Sequence, residues 1–429
     1  MRAHVRPHSQ LCVGLSGGRD SVVLLHLLAL ARESWAITLS AIHINHQISP
    51  HAERWVDFCA ALCAQHGVAL QVERVVVARG RGVEAGAREA RYAAYARVQA
   101  GAIALAHHRD DQAETVLLQA LRGAGLKGIS AMPLAKSLGG DKQIIRPLLD
   151  VAPEVLADYA AVNGLSWIHD ESNDDVRFTR NYLRHEVMPR LRECLPQSAA
   201  SLLRLAQHAA DAQCLLDDLA RLDQASVVAG ERLQLSRLLA LSAPRAKNLL
   251  RYFFSSASIP VPNTVQLNEI VQQLGARQAD DRTEITWANW TLRCFRDEVY
   301  LQPAARQPPL AWQITWRGEA ELILPRPCGT LRFEPSVGTG IAQTRMVGKQ
   351  VSIRLRRGGE KFRVASSRPR RALKNLLQEA KLPPWRRETL PLLFCEETLV
   401  WAPGIGIDME FVARADEPGW VIAWQAPQD

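Results

Sequence analysis

The sequence contains no C-x-x-C pair, no apolar run long enough to span a bilayer, no internal repeat and no low-complexity tract. Each absence removes a class of protein. The eight cysteines, Cys12, Cys59, Cys63, Cys194, Cys214, Cys294, Cys328 and Cys395, are scattered, which argues against a disulfide framework or a structural zinc site and fits a reducing compartment. The longest apolar stretch, residues 22–31, is broken by His26 and falls well short of the ~20 residues a membrane helix needs. The opening MRAHVRPHSQ lacks the basic, apolar and small-residue layout of a secretory signal. A cytoplasmic protein with no membrane partner is the expectation.

What is present is an ordinary globular composition with an uneven charge. An apolar fraction of 47% over 429 residues supports packed cores in two or three domains. Net charge is +8, yet residues 345–387 carry fourteen Lys or Arg against the two acids Glu360 and Glu379. That segment alone sums to +12 and the rest of the chain to −4. Charge concentrated in one module is what a polyanion-binding surface needs, whereas a merely solvated face mixes signs.

Along the chain, LCVGLS, ITLSAIHI, ALQVERVVV and GAIALAH read as strands. SVVLLHLLALARE, AERWVDFCAALCAQHG and EAGAREARYAAYARVQA between them have helical spacing. Alternation of this kind predicts a doubly wound parallel α/β sheet, with its ligand beyond the carboxyl ends of the strands. From about residue 196 to 257 the pattern is purely helical. The helix NTVQLNEIVQQL follows, and then EITWANWTLRCFRDEVYL, which alternates like a hairpin. QPAARQPP is a Pro-rich linker. Beyond it come strand-like stretches and the basic helix RALKNLLQEAK, stopped by Pro383 and Pro384. The organisation expected is a domain over 1–195, a helical domain over 196–301 and a small basic α+β domain over 310–429.

Four motifs carry chemistry. In SGGRDS, between the first strand and first helix, Gly17 and Gly18 permit positive φ and let an anion approach the backbone. The helix N-terminus favours negative charge there. No Gly-Lys-Ser/Thr follows, so it is no kinase-type P-loop, and the G-x-G-x-x-G spacing is absent. A plain strand–turn–helix joint would also use such glycines. Asp20 is the natural partner for Mg2+, which favours one or two carboxylates plus phosphate oxygens. In HINHQIS, His43 and His46 end the second strand, where they suit contacts to nucleotide or simple hydrogen bonds. In HHRDDQAETVLLQALRGAG, Asp111 and Glu114 stand three apart, as in an ordinary capping box. His107 and His108 beside them favour a site that binds Mg2+ or an ammonium group. Arg122 just past that helix could neutralise phosphate. In DESN, Asp170 could cap a helix, while Arg180 and Arg184 share one helical face, available to phosphate or to the acids upstream.

SGGRDS resembles the pyrophosphate loop of the ATP-pyrophosphatase (PP-loop) superfamily, which cleaves ATP to AMP and pyrophosphate while adenylating a substrate oxygen. SGGRDS, HINH, EAGAREARY, HHRDDQAET, LRGAG, RPLL and DESN followed by RNYLR, in that order, are similar to the bacterial tRNA(Ile)-lysidine synthetase family. So are RLRRGGEKF and RALKNLLQEAKLPPWRRETLPLLFCEETLVWAPG near the end. Where that family often has Leu-Arg after the second strand, Ile48 and Ser49 stand here.

The resemblance implies a ligase joining free L-lysine to C2 of the wobble cytidine in a tRNA(Ile) with a CAU anticodon, using ATP and Mg2+. It implies that Ser16, Gly17, Gly18, Arg19, Asp20 and Ser21, with His43 and His46, bind nucleotide, and that Asp20 holds the metal. Asp20, Asp111, Glu114, Arg122 and Asp170 would be catalytic. Arg180, Arg184, Arg356, Arg357, Lys374, Arg386 and Arg387 would grip tRNA. Oligomeric state is left open, a homodimer included. The rivals are a tRNA thiolase of the same superfamily and a non-catalytic RNA-binding protein; a small-molecule synthetase would have no need of the +12 module.

Overall fold

The computed structural model describes residues 8–76, 83–229, 232–276, 283–304, 311–364 and 369–426. The chain divides into two compact units, Met1–Asp218 and Leu219–Asp429. Val77 of the third expected strand and residues 305–309 of the Pro-rich linker lie outside the described residues.

The first unit is built on strands β1 (Gln10–Gly14), β2 (Thr38–Asn45), β3 (Ala69–Arg74), β4 (Ala102–Ala104), β5 (Ala135–Gly139) and β6 (Lys142–Ile145). Their order is β3-β2-β1-β4-β6-β5. Every neighbouring pair is parallel except β5 with β6. The chain winds outward from β1 to β2 and β3, then returns across β1 to β4. The order therefore reverses between β1 and β4, and a doubly wound sheet opens a crevice beyond the strands at that point. The β5–β6 hairpin was not foreseen: its residues AKSLG and KQII are too short and too polar to read as buried strands.

Helices α1 (Arg19–Ala31), α2 (Ala52–Gln65), α3 (Val83–Arg97), α4 (Arg109–Leu121), α5 (Leu126–Ile129) and α6 (Pro153–Val162) cover the sheet. Leu11 and Val13 of β1 pack with Val22, Leu25 and Leu28 of α1, Cys59 and Cys63 of α2, and Leu156 of α6. Cys12, between them in sequence, packs on the other face with Tyr95 and Val98. Period-two alternation with both faces covered is why β1 reads as a continuous apolar run.

After α6 come α7 (Thr179–Tyr182), a π-helical turn at Leu183–Val187, α8 (Met188–Cys194) and the 30-residue α9 (Ser198–Val227), inside which the two units divide. In the second unit, helices Leu235–Ala240, Ala243–Ser256 and Thr264–Ala276 pack on a five-stranded sheet. Leu249, Leu250, Phe254, Ile270, Trp287 and Leu292 form the core between them. The helices expected here are present, and they cover a sheet as well. Glu284–Trp287, Trp290–Phe295 and Glu298–Pro303 form a three-stranded antiparallel meander rather than one hairpin, with Ala288 and Arg296 at positive φ in its two turns.

The last part of the chain is small and α+β, as expected. A five-stranded and a four-stranded sheet enclose Trp316, Phe333, Ile353, Leu393 and Val400, and helix Leu373–Glu379 covers a second cluster with Phe362 and Phe394.

One glycine lets α3 reach β1. A Cβ on Gly14 would lie 2.5 Å from Cδ2 of Leu105 and 3.0 Å from the Tyr95 hydroxyl. Gly14→Ala is therefore expected to destabilise the first unit by about 1–3 kcal/mol, the usual cost of overpacking. Thermal unfolding should show Leu105→Ala recovering part of that loss in the double variant.

Candidate active site

The loop from Leu15 to Gly18 carries the chain from β1 into α1. Gly17 has φ +89°, a left-handed conformation that glycine adopts without strain. The space beside it is also closed, since an added Cβ would meet Cδ1 of Ile168 at 2.6 Å and Sγ of Cys59 at 3.3 Å. Ile168 donates its backbone N–H to the Gly17 carbonyl at 2.9 Å, which ties the segment leading to Asp170 onto the loop. Gly18 is extended, and its N–H donates to Ser16 Oγ at 3.3 Å. Ser16 Oγ lies 3.1 Å from Ser21 Oγ, and Ser21 donates to the Gly18 carbonyl at 2.8 Å. In the first turn of α1 the Ser21 and Val22 amides donate to the Gly18 carbonyl, and the amides before them have no partner inside their own helix. They end in a rigid, glycine-lined seat of positive potential.

Across the crevice, the turn after β4 supplies His107 and His108. Nε2 of His108 lies 3.5 Å from Asp20 Oδ2 and 3.6 Å from Asp111 Oδ2. The other oxygen of Asp20 accepts from Arg19 Nε at 3.0 Å. Burial opposes ionisation of Asp20, but the hydrogen bond and charge of His108, with Arg19, outweigh it and hold the carboxyl below its usual range. Burial likewise pulls His108 down, and Asp20, Asp111 and Asp110 outweigh it, so the imidazole titrates above its ordinary value.

Asp111 caps α4 by accepting the His108 backbone N–H at 2.9 Å, so the capping interpretation holds, though it is not the whole role. Arg180 Nη2 and Arg184 Nη2 reach Asp111 Oδ1 at 3.2 and 2.8 Å. Glu114 takes Arg180 Nε at 3.0 Å and Arg184 Nε at 2.6 Å, one on each oxygen. Both carboxylates are buried, Glu114 to 2% exposure. Two guanidinium groups meet the two buried acids in fork geometry, which offsets the cost of burying them. Of the two partners foreseen for Arg180 and Arg184, phosphate or the upstream acids, the structure has the acids. Arg192 adds an ion pair to Asp110.

Three other expected residues take different places. His43 is buried and donates Nδ1–H to the Leu15 carbonyl at 2.9 Å, so it braces the loop from beneath, and burial pulls its pKa down. Asp170 accepts the Ser172 N–H at 2.9 Å as a cap, half-buried beside the loop. Arg122 is exposed at the far end of α4, about 17 Å from Asp111 at 1.5 Å per residue, and does not join the cluster.

His46, expected at the nucleotide, and His107, expected beside the acids, complete the picture. His46 is pushed down to about 4 and His107 to about 3, in both cases chiefly by burial. Nδ1 of His46, His107 and His108 is buried without a hydrogen-bond partner among the described residues. Unsatisfied buried polar atoms are costly, and their clustering beyond β2 and β4 fits a polar ligand lodged there, as does the glycine seat. The described residues contain no group of three or more side chains able to hold a metal. Asp20 alone suits an ion bound mainly by phosphate and water.

In the second unit the expected tRNA-gripping residues are less uniformly free than the charge count implied. Arg356 pairs with Glu360 at 3.3 Å, Arg357 Nη2 donates to Gln313 at 3.1 Å, and Arg387 Nε donates to the Leu382 carbonyl at 2.7 Å. Lys374 is exposed and Arg386 half-buried. Trp385, half-buried, packs edge-on against Phe295 and Tyr300.

The PP-loop domain family matches residues 2–191, the TilS substrate binding domain 233–300 and the TilS substrate C-terminal domain 351–424. A tRNA(Ile)-lysidine synthase of Nitrosomonas europaea is 43% identical over 100% of this chain and 94% of its own length. The chain belongs to the tRNA(Ile)-lysidine synthase family. Members from Aromatoleum aromaticum and Coxiella burnetii are 40% and 36% identical, over 99% and 98% of this chain and 99% and 94% of theirs. The first unit thus contains the PP-loop domain of a lysidine synthase, and the second contains both TilS-specific domains.

Two measurements follow from this site. Arg184→Ala leaves Glu114 with one guanidinium; because Arg184 is 35% exposed, the loss should be on the order of 2 kcal/mol, below that of a fully buried pair, read by urea unfolding. His108 has a raised pKa when folded, so its stabilising contribution is complete below the ordinary histidine value and fades as pH rises through the folded one. For Asp20, lowered when folded, the contribution is present above the ordinary carboxyl value and fades as pH falls through the folded one. In the nucleotide- and metal-free protein, the stability gap between wild type and His108→Gln should therefore shrink on going from mildly acidic to alkaline pH.

Proposed function

We propose that the chain is the ATP-dependent ligase that forms lysidine in tRNA(Ile), joining free L-lysine to C2 of the wobble cytidine of a CAU anticodon. The observation that carries the reading is the convergence of the glycine seat, Asp20, His108, Asp111 and Glu114 at the β1/β4 switch point. It lies in a chain that aligns end to end with lysidine synthases.

C2 of cytosine is a poor electrophile with no leaving group. Moving the AMP moiety of ATP onto the C2 oxygen supplies one, with release of pyrophosphate. The lysine ε-amine then attacks C2, AMP leaves with that oxygen, and the ammonium proton passes to a base.

The loop Ser16–Ser21 seats the β- and γ-phosphates on backbone N–H groups and hydroxyls, stabilising charge that develops on pyrophosphate. Asp20 would hold Mg2+, which supplies further neutralisation of that charge. His108 holds the Asp20 carboxylate in place. The acids Asp111, Glu114 and Asp170 form the anionic side that a lysine ammonium requires. Asp170 is the one of these whose carboxylate carries no guanidinium among the described residues, so it is the first candidate to meet the amine. In the second unit, Arg356, Arg357, Lys374, Arg386 and Arg387 grip tRNA phosphates and set register. The work takes place in the cytoplasm, where free lysine, ATP and tRNA meet.

A sulfur-delivering reaction fits less well. Burial pushes the thiols of Cys12, Cys59 and Cys63 up to about 11, 12 and 11, far from the reactive thiolate such chemistry uses.

Incubation with ATP, unmodified tRNA(Ile) transcript and labelled lysine tests the reading: label should enter the RNA, and its failure to do so would sink it. Asp20→Ala should abolish AMP release while tRNA binding stays close to wild type. Charge removal at Arg356 and Arg357 together should reduce the slope of log affinity against log salt by about 1 for each phosphate left without its cation.

A further inference from the structure

The catalytic unit carries a second concentration of positive charge that the acids of the site do not neutralise. It centres on Tyr92 of α3. The Arg88 guanidinium stands 5.0 Å from the centroid of the Tyr92 ring and the Lys136 ammonium 5.6 Å from it. Arg88 Nη2 also donates to the Tyr92 hydroxyl at 3.3 Å. Beneath them, Arg146 is only 1% exposed. It donates to the Pro133 carbonyl at 2.8 Å and to the Tyr92 hydroxyl at 3.3 Å, while its Nε is buried without a partner among the described residues. Arg91 is exposed one position before Tyr92, close enough to press on both His46 and His107.

None of Arg88, Arg91, Lys136 and Arg146 makes an ion pair with an acid among the described residues. Elsewhere in this unit Arg19, Arg74, Arg97, Arg177, Arg180, Arg184 and Arg192 do make such pairs. A buried guanidinium without a carboxylate is costly. Three more cations around it raise that cost, and a polyanion laid over them would offset it. The aromatic ring among the cations supplies a flat apolar face as well. Lys136 reaches this cluster because the β5–β6 hairpin sits at the sheet edge next to β4.

We infer that Arg88, Arg91, Tyr92 and Lys136, with Arg146 behind them, form an RNA-binding face of the catalytic unit that holds tRNA backbone phosphates near the target nucleotide. This rests on the function proposed above and adds to it a binding surface apart from the basic C-terminal module. The face borders the crevice: Arg91 and Arg146 both act on His107, which stands at the carboxyl end of β4. An anticodon loop whose wobble base enters the crevice must lay its neighbouring phosphates against the rim, and this stretch of rim carries positive charge that no acid offsets among the described residues.

Lys136 is the residue to change, because it is exposed on a hairpin edge and packs into no core. Lys136→Glu and Arg88→Glu are to be compared with wild type in the full-length protein, using CAU-anticodon tRNA(Ile) transcript. The expected results are a rise in KM for tRNA of about tenfold per charge reversal and a salt slope of binding reduced by about 1 for each phosphate no longer neutralised. The KM for ATP serves as internal reference and should move less than about twofold. An isolated anticodon stem–loop, which lacks the rest of the tRNA, should show the same relative loss. Unchanged KM for tRNA and unchanged salt slope in both variants, with wild type forming lysidine, would overturn the inference while leaving the proposed function intact. No lysidine from wild type would strike the function itself. Loss of the thermal transition in one variant would leave the other to decide.

Discussion

Asp111 and Glu114 can be buried inside this protein only because Arg180 and Arg184, 66 to 73 residues later in the chain, turn back to meet them. Isolated buried carboxylates would take up protons, and isolated guanidinium groups would stay in water. Together they form a fork-to-fork pairing that fastens the α7–π-turn segment to the start of α4. Asp111 is in turn tied to His108, and His108 to Asp20 in the loop after β1. The two sides of the crevice are thereby joined by charge. The geometry of the phosphate seat depends on this chain of contacts as much as on its glycines.

The same arrangement explains why the histidines at the strand ends differ. His108, between two carboxylates, is biased toward its charged form. His107, one residue away, is held neutral by its burial, with Arg146, Arg180 and Arg91 acting the same way against Asp111. His43 is spent on the loop backbone. Neighbouring copies of one residue type thus carry different charge states because each sees a different set of partners.

Charge also separates the two units. In the second, the run of basic residues meets acids that lie outside it in sequence: Arg370 pairs with Asp408 and Glu410, and Arg363 with Glu410. Arg354 lies 3.7 Å over the Phe394 ring. Part of the +12 is therefore structural. In the first unit the reverse holds, because a modest local composition leaves four cations around Tyr92 without acids among the described residues.

The sequence alone determined the alternating strands and helices of the first unit, the glycine turn, the capping acid of α4 and the small basic domain at the end. All of these are local: a period of two or 3.6, a residue free to take positive φ, a side chain bonding three positions away. Family membership was likewise readable, because motif order along the chain survives without coordinates. Only the tertiary structure decided which partner Arg180 and Arg184 take, that Arg122 stands a helix length from the site, that EITWANWTLRCFRDEVYL makes three strands, and that a polar hairpin brings Lys136 over Tyr92. Those outcomes depend on contacts between residues tens of positions apart. Their energies come from burial and charge pairing, which the linear pattern does not encode.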